Sequence, residues 1–331
     1  MKVIIPVAGA GTRLRPHTNT QPKPLIPVAG KPIISHLIDN LQNAGIQDFV
    51  FVVGYMGDKI KDYLHATYQG KIKMEFVLQE HREGLGHAIW TARDCFAKEE
   101  NVLIVVGDII FEADMKTILE NPCSVIGIRK VEDPREFGVV EINEANQNVR
   151  KMIEKPRMPK SDNAIIGIYK INQITQLLDI LDFNIRHDIR TYGEIQLTDA
   201  LDAMIEKGIK FKTSHVNTWY DCGKKEVLLE TNAMLLGKEP YNEIPVFDNT
   251  IFIHPVNIGK DCEISNSIIG PYVTIGSGSK IDNSIIKNSI IGTFTELDEV
   301  VLHQSIIGSD TSVKGLRQSL NLGDNTEINF R

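Results

Sequence analysis

The sequence predicts an α/β protein in two parts: a mainly parallel, Rossmann-like sheet domain followed by a parallel β-helix. Three observations carry that expectation. Short apolar runs alternate with amphipathic helical stretches through the first 237 residues, the pattern of βαβ units. Aliphatic residues then recur every five or six positions from Ile258 to Val313, a hexad-like period that stacks into β-helix coils. Between them, the polar, proline-broken stretch Gly237 to Pro245 reads as a linker. The expected boundaries are 1–237 for the sheet domain, 238–249 for the linker and 250–331 for the β-helix.

The first strand, Val3 to Ala8, is apolar throughout, as in strands covered on both faces. It breaks at Gly9 and Gly11, where the backbone can come close to a ligand. Arg13, Arg15 and Lys23 follow among prolines that stiffen the loop. A strand, a glycine turn and cations suggest a cradle for polyphosphate, in which free backbone N–H groups bind the anion. Two other phosphate motifs are excluded: Leu14 stands at the third glycine position of GxGxxG, and no Gly-Lys-Ser/Thr follows Gly11.

Helices are predicted over Lys31–Ala44, with Pro32 in the first turn and Gly45 beyond the end, and over Met56–Tyr68 and Leu85–Phe96. Strands are predicted at Phe49–Val53, Ile72–Leu78 and Val102–Val106, the last running into Gly107-Asp108. Sites in such sheets lie beyond the carboxyl ends of the strands. The opening loop, Gln79 and Asp108 should therefore face one edge. From Pro122 to Tyr169 four strands follow without long helices, read as an insertion forming the opposite wall of a cleft. Helices at Gln173–Leu181 and Gln196–Lys207, a strand at Ile209–His215 and a helix at Lys224–Leu236 complete the domain. In the repeat region, Ser-Ile-Ile recurs at Ser267, Ser284, Ser289 and Ser305, and glycines follow several aliphatic positions.

A net charge of −7 gives no reason to expect nucleic-acid binding. Cys95, Cys123, Cys222 and Cys262 form no CxxC pair, which fits free thiols in a reducing compartment. No charged n-region precedes an apolar h-region at the N-terminus, and no apolar run approaches the ~20 residues of a membrane span. A cytoplasmic protein without membrane or nucleic-acid partners is expected.

Ala8-Gly9-Ala10-Gly11-Thr12-Arg13-Leu14-Arg15-Pro16, then Thr18 and Pro22-Lys23-Pro24-Leu25, resembles the signature of sugar-nucleotide pyrophosphorylases. Further stretches resemble that family in the same order: Gln79 with Gly84-Leu85-Gly86-His87-Ala88, Val106-Gly107-Asp108, Phe137-Gly138, Glu154-Lys155-Pro156, Gly193-Glu194 and Trp219-Tyr220-Asp221-Cys222-Gly223. The repeat resembles the left-handed hexapeptide β-helix often fused behind such domains.

The resemblance implies a nucleotide site at Ala8, Gly9, Gly11, Thr12, Arg13, Gln79, Gly84 and Asp108. Gln79 would read the base, since its amide offers one donor and one acceptor to uracil or thymine, and Gly84 would let the backbone approach it. Asp108 and Asp221 would hold Mg²⁺, which takes one or two carboxylates plus phosphates and waters. Gly138, Glu154 and Lys155 would hold the sugar phosphate, with Gly167 and Glu194 further positions of that pocket. His17, His81 and His87 lie near these motifs without metal-site spacing and read as structural or peripheral.

The implied substrates are a nucleoside triphosphate, dTTP or UTP, and a sugar 1-phosphate such as glucose 1-phosphate. Arg13, Lys23 and Lys155 would be the catalytic cations. The neighbouring alternative is guanylyl transfer to mannose 1-phosphate. A second is an additional acyl-transfer site in the β-helix, with His303 as its base. A third is a non-catalytic scaffold like subunits of a eukaryotic translation-initiation exchange factor. The coil faces and ends suggest a homo-oligomer.

Overall fold

The computed structural model describes residues 1–143, 145–238 and 244–315. They form two compact units: Met1–Pro27 with Lys31–Thr231, and Val28–Gly30 with the chain from Asn232 onward.

The longer strands of the first unit are β1 (Lys2–Val7), β2 (Asp48–Val53), β3 (Lys73–Leu78), β4 (Val102–Val105), β5 (Ile109–Glu112), β6 (Ser124–Lys130), β7 (Val139–Ile142), β8 (Val149–Ile153), β9 (Asn163–Ile171), β10 (Phe211–His215) and β11 (Thr218–Asp221). Its helices are α1 (Ile33–Asn43), α2 (Gly57–Tyr68), α3 (Leu85–Thr91), α4 (Met115–Glu120), α5 (Ile174–Arg186) and α6 (Leu197–Glu206), and α7 (Lys225–Lys238) runs from it into the second unit. A nine-stranded sheet has the order β8-β7-β9-β4-β1-β2-β3, and β6 joins β9 to β10.

Side-chain alternation explains why the strands are apolar throughout. Val3, Ile5 and Val7 of β1 pack with Ile34, Leu37, Ile38 and Leu41 of α1 and with Ile60 and Leu64 of α2. Ile4 points the other way, into a core with Ile89 of α3, Leu177 and Leu181 of α5 and Leu201 of α6. Each face is thus covered by helices, as a buried parallel sheet requires. Pro32 precedes α1 as its N-cap, and Gly45 follows its end at φ 87°. Four predicted helices have clearly other bounds: α1 begins at Ile33, with Lys31–Pro32 in a short strand instead, α3 stops at Thr91 before a 3-10 turn at Arg93–Cys95, α5 continues to Arg186, and α7 passes through Gly237 to Lys238. Residues 239–243 of the expected linker lie outside the described residues.

The parallel expectation holds for β1, β2, β3 and β4. Beyond β4 the sheet is mixed, because β9 pairs antiparallel with β4, β6 and β7. The strands between Pro122 and Tyr169 are therefore no separate insertion; they continue the same sheet. A register shift interrupts β9 between Ile165 and Tyr169, and Gly167 sits there at φ +83°. This is the bulge geometry that glycine permits.

In the second unit, three four-stranded parallel sheets stack as the three sides of a coil, the architecture of the left-handed β-helix. Ile264, Ile269, Ile275, Ile281, Ile286, Ile291 and Leu297 fill its interior, with Ile258, Leu302, Ile307 and Val313 partly buried against them. The coil is shorter than the ~18 residues of ideal hexads: equivalent positions lie 17 apart in the early coils and 16 in the later ones. The change occurs at one corner, where Gly270-Pro271-Tyr272 is followed one coil later by Lys287-Asn288 alone.

The recurrent serines have a physical reason. Ser284 Oγ donates to the Asp282 carbonyl and accepts the Val300 N–H, while Ser267 Oγ accepts the Ser284 N–H one coil earlier. Ser289 links to the Ser305 N–H in the same way. Ser284→Ala would leave the buried Val300 amide without its acceptor, a cost of about 1–3 kcal/mol. A lower thermal unfolding midpoint is the expected result, and an unchanged midpoint would show that the serine ladder contributes nothing.

Among the described residues, no helix is long and apolar enough to cross a membrane. All four cysteines are free, and burial pushes the Cys222 thiol up to about 12.

Candidate active site

The loop after β1 is shaped by its glycines. Gly11 adopts φ +60°, and a Cβ there would lie 3.0 Å from Lys23 Cβ and from Thr18 Cγ2. Thr18 Oγ1 donates to the Gly11 carbonyl at 2.9 Å, which folds the loop back over Lys23. Gly9 faces open space. Beyond the strand ends lies a cavity of about 470 Å³ lined by Ala8, Gly9, Gly11, Thr12, Arg13, Lys23, Gln79, Gly84, Asp108 and Glu194, among others. A second cavity, of about 1000 Å³, is lined by Arg13, Arg135, Phe137, Lys155, Arg157, Tyr192, Asp221 and Lys224. Arg13 lines both.

Asp108 and Asp221 are brought together by a pairing that periodicity does not reveal. Strands β5 and β11 form an antiparallel ribbon in which Asp221 faces Ile109, and the Cys222 N–H donates to the Asp108 carbonyl at 3.1 Å. Lys23 Nζ sits between the carboxylates, 2.6 Å from Asp108 Oδ2 and 3.4 Å from Asp221 Oδ1. Arg13 Nη2 lies 3.7 Å from Asp221 Oδ2. Burial alone would lower the Lys23 pKa, but Asp108 and then Asp221 outweigh it and hold the ammonium above its ordinary value. Burial likewise opposes ionisation of Asp108, while Lys23 and more weakly Arg13 pull its pKa below the usual carboxylate value.

Among the described residues no three or more His, Cys, Asp or Glu side chains converge as a metal cluster. In this structure the Lys23 ammonium neutralises the two aspartates, so a metal ion there would take its place between them as Lys23 moves to the ligand. Two carboxylates without a soft ligand suit Mg²⁺ completed by phosphates and waters.

Gly138 and Glu154 touch each other rather than lining either cavity: a Cβ on Gly138 would lie 3.1 Å from Glu154 Oε2. Thr198, which sequence reasoning missed, donates to that oxygen at 2.7 Å. Lys155 adopts φ 41°, and its carbonyl accepts the Tyr192 hydroxyl at 2.7 Å. Gly167 lies outside both linings, with Val106 packed where a side chain would be.

Gly84 lines the smaller cavity and is at the same time pressed against protein backbone. Its φ is +109°, and a Cβ would lie 2.6 Å from the Ile195 carbonyl oxygen. The Glu83 carbonyl accepts from Ile195 N, and the Ile195 carbonyl accepts from Gly86 N, so protein backbone makes the close approach. His87, read from the sequence as structural or peripheral, lies 3.0 Å from the Gln79 amide nitrogen. Gly223 was visible only as part of a motif; a Cβ there would lie 2.6 Å from Arg13 Nη2.

A sheet edge carrying a glycine loop, two cations and two facing carboxylates defines a phosphate-handling α/β domain. Residues 2–238 match the nucleotidyl transferase family, and the chain belongs to it. It is 37% identical over 256 residues to the bifunctional protein GlmU of Methanococcus maripaludis, a match covering 76% of this chain and 59% of that protein. Identity to the glucose-1-phosphate thymidylyltransferase of Streptomyces griseus is 30% over 295 residues, covering 86% of this chain and 81% of the relative. A solved structure of UDP-glucose pyrophosphorylase complexed with UDP-glucose matches with a TM-score of 0.63 at 25% identity, covering 72% of this chain and 99% of that one. The chain spans only 55–59% of the length of its GlmU relatives.

Proposed function

We propose that this protein transfers a nucleotidyl group from a nucleoside triphosphate to a sugar 1-phosphate, releasing pyrophosphate. Uridylyl or thymidylyl transfer to glucose 1-phosphate is the specific reaction favoured. The observation that carries this reading is the meeting of Arg13, Lys23, Asp108 and Asp221 at one strand edge. Cavities on either side offer room for two substrates, and Arg13 borders both.

A phosphate monoester dianion is already nucleophilic, so the reaction needs no histidine or serine base. One oxygen of the sugar phosphate attacks the α-phosphorus in line, and the bond to the bridging oxygen breaks as pyrophosphate departs. Positioning and charge neutralisation then supply most of the catalysis. In this reading the Gly9–Arg13 loop and Lys23 hold the β- and γ-phosphates, Arg13 stabilises charge on the departing group, and Lys155 orients the incoming phosphate. Mg²⁺ held by Asp108 and Asp221 would supply further charge neutralisation. Family resemblance assigns Glu154 to the sugar hydroxyls, although its carboxylate, held by Thr198, lines neither cavity in this structure.

Pyrophosphate release should be measured with UTP, dTTP, GTP, CTP and ATP, each with glucose 1-phosphate and Mg²⁺. Sugar nucleotide is expected with UTP or dTTP. A clear preference for GTP would overturn the base assignment, and no product with any triphosphate and a panel of sugar 1-phosphates would overturn the reaction.

A further inference from the structure

Gln79 emerges directly after β3, with its side chain in the wall of the smaller cavity and only 4% of the residue exposed. Its amide has two N–H donors and one carbonyl acceptor. Nε2 donates to the Gly84 carbonyl at 3.2 Å and lies 3.0 Å from His87 Nδ1. Both donors are thereby committed, with the ring proton of His87 on Nε2 so that Nδ1 accepts. The carbonyl oxygen Oε1 has no hydrogen-bond partner among the described residues and remains available to a ligand.

Both acceptors are themselves held. The Gly84 carbonyl belongs to the segment joined to Ile195 through Glu83 and Gly86, and it also accepts the Ala88 N–H of α3 at 3.1 Å. The His87 ring stacks against Trp90 with centroids 6.2 Å apart, and the Arg93 guanidinium covers Trp90 at 3.9 Å. An amide with both donors fixed offers one hydrogen-bonding polarity, whereas a free amide can rotate to offer either.

We infer that His87 is the positioning residue that locks the Gln79 amide with its carbonyl oxygen toward the cavity. The site then selects a pyrimidine presenting an N–H donor, the imide of uracil or thymine, over cytosine, whose ring nitrogen at the same edge is an acceptor. This rests on the nucleotide-binding reading above and deepens it: Gln79 contacts the base, and His87 decides which polarity Gln79 presents. With His87 replaced by a residue lacking an acceptor, one amide hydrogen is released. Only the weaker 3.2 Å bond to the Gly84 carbonyl then opposes a turn of the group that would let it donate to cytosine.

The test is calorimetric binding of UTP and CTP, each with Mg²⁺, to the unmodified protein and to His87→Leu, His87→Phe and His87→Asn. The phenylalanine variant keeps a ring against Trp90 if the leucine variant folds poorly. Asparagine can return an acceptor near the Nδ1 position. The unmodified protein should prefer UTP. The UTP-to-CTP affinity ratio should fall at least about tenfold in the Leu and Phe variants, the scale of one directional hydrogen bond, and recover substantially in His87→Asn.

A role confined to packing would weaken both nucleotides alike and leave the ratio unchanged, which would overturn the inference. Equal binding of UTP and CTP by the unmodified protein, or binding of neither, would overturn it as well. Sugar-nucleotide formation by the same preparations reads the proposed reaction separately. Selective UTP binding that responds to His87 without product formation would retain this inference and reject the reaction, whereas normal turnover with an unchanged ratio would reject the inference alone.

Discussion

Arg13→Ala is expected to lower kcat by roughly 10²–10³, the usual cost of removing one preorganised donor to developing negative charge. The fold should be little affected. The Arg13 side chain is 55% exposed, and its ion pair with Asp221 spans 3.7 Å, so its contribution to stability is about 0–1 kcal/mol. Gly223 leaves room for the guanidinium beside Asp221, which places this group between the two cavities without burying it. Arg13→Lys makes a useful companion. It keeps the charge but loses the planar fork, so activity should be recovered only in part. Steady-state kinetics of both variants, with unfolding midpoints measured in parallel, decide the matter. Near-normal turnover in Arg13→Ala would remove Arg13 from the catalytic group.

Gly167→Ala should destabilise the first unit by roughly 2–5 kcal/mol, from left-handed backbone strain together with overpacking. The backbone stands at φ +83°, and the new Cβ would lie 2.2 Å from Val106 Cγ2. Both elements are constrained: Gly167 marks the bulge in β9, and its carbonyl accepts the Val106 N–H at 3.0 Å. Family resemblance implies a place for this glycine in the sugar pocket, and the two roles predict different measurements. A pocket residue would change the KM for sugar phosphate at constant stability. A bulge residue would lower the chemical denaturation midpoint whether or not KM changes, and an unaltered midpoint would refute the bulge account.

The contrast shows what could be read along the chain. The helices of the first half and the aliphatic period of the repeat were legible because each repeats within a few residues. Spacing in Ile34-Leu37-Ile38-Leu41 marks a buried helix face without knowledge of its partner. The opening loop was legible because its glycines, cations and prolines are contiguous. Pairings between distant segments were not. Ile109–Glu112 is too short to stand out as a strand, and its partner Thr218–Asp221 follows several intervening elements. Nor could the motif distinguish a glycine facing open space from one pressed against protein backbone. Gly9 faces open space, whereas Gly84 faces the Ile195 carbonyl. His87 reads from the sequence as structural or peripheral for a related reason: its partner is a side chain oriented by tertiary structure, and a histidine near a motif carries no sign of that.

The β5–β11 ribbon also sets an order of events on the ribosome. Asp108 is synthesised well before Asp221, and the segment between them supplies most of the antiparallel half of the sheet. At ~5–20 residues per second, translation of that interval takes on the order of ten seconds. Throughout it the nascent chain can form its glycine loop and its first parallel strands, yet the acidic pair cannot assemble. The last-arriving strand of the first unit therefore completes the proposed site, so a polypeptide interrupted before Thr218 would carry the glycine loop, Lys23 and Asp108 without Asp221.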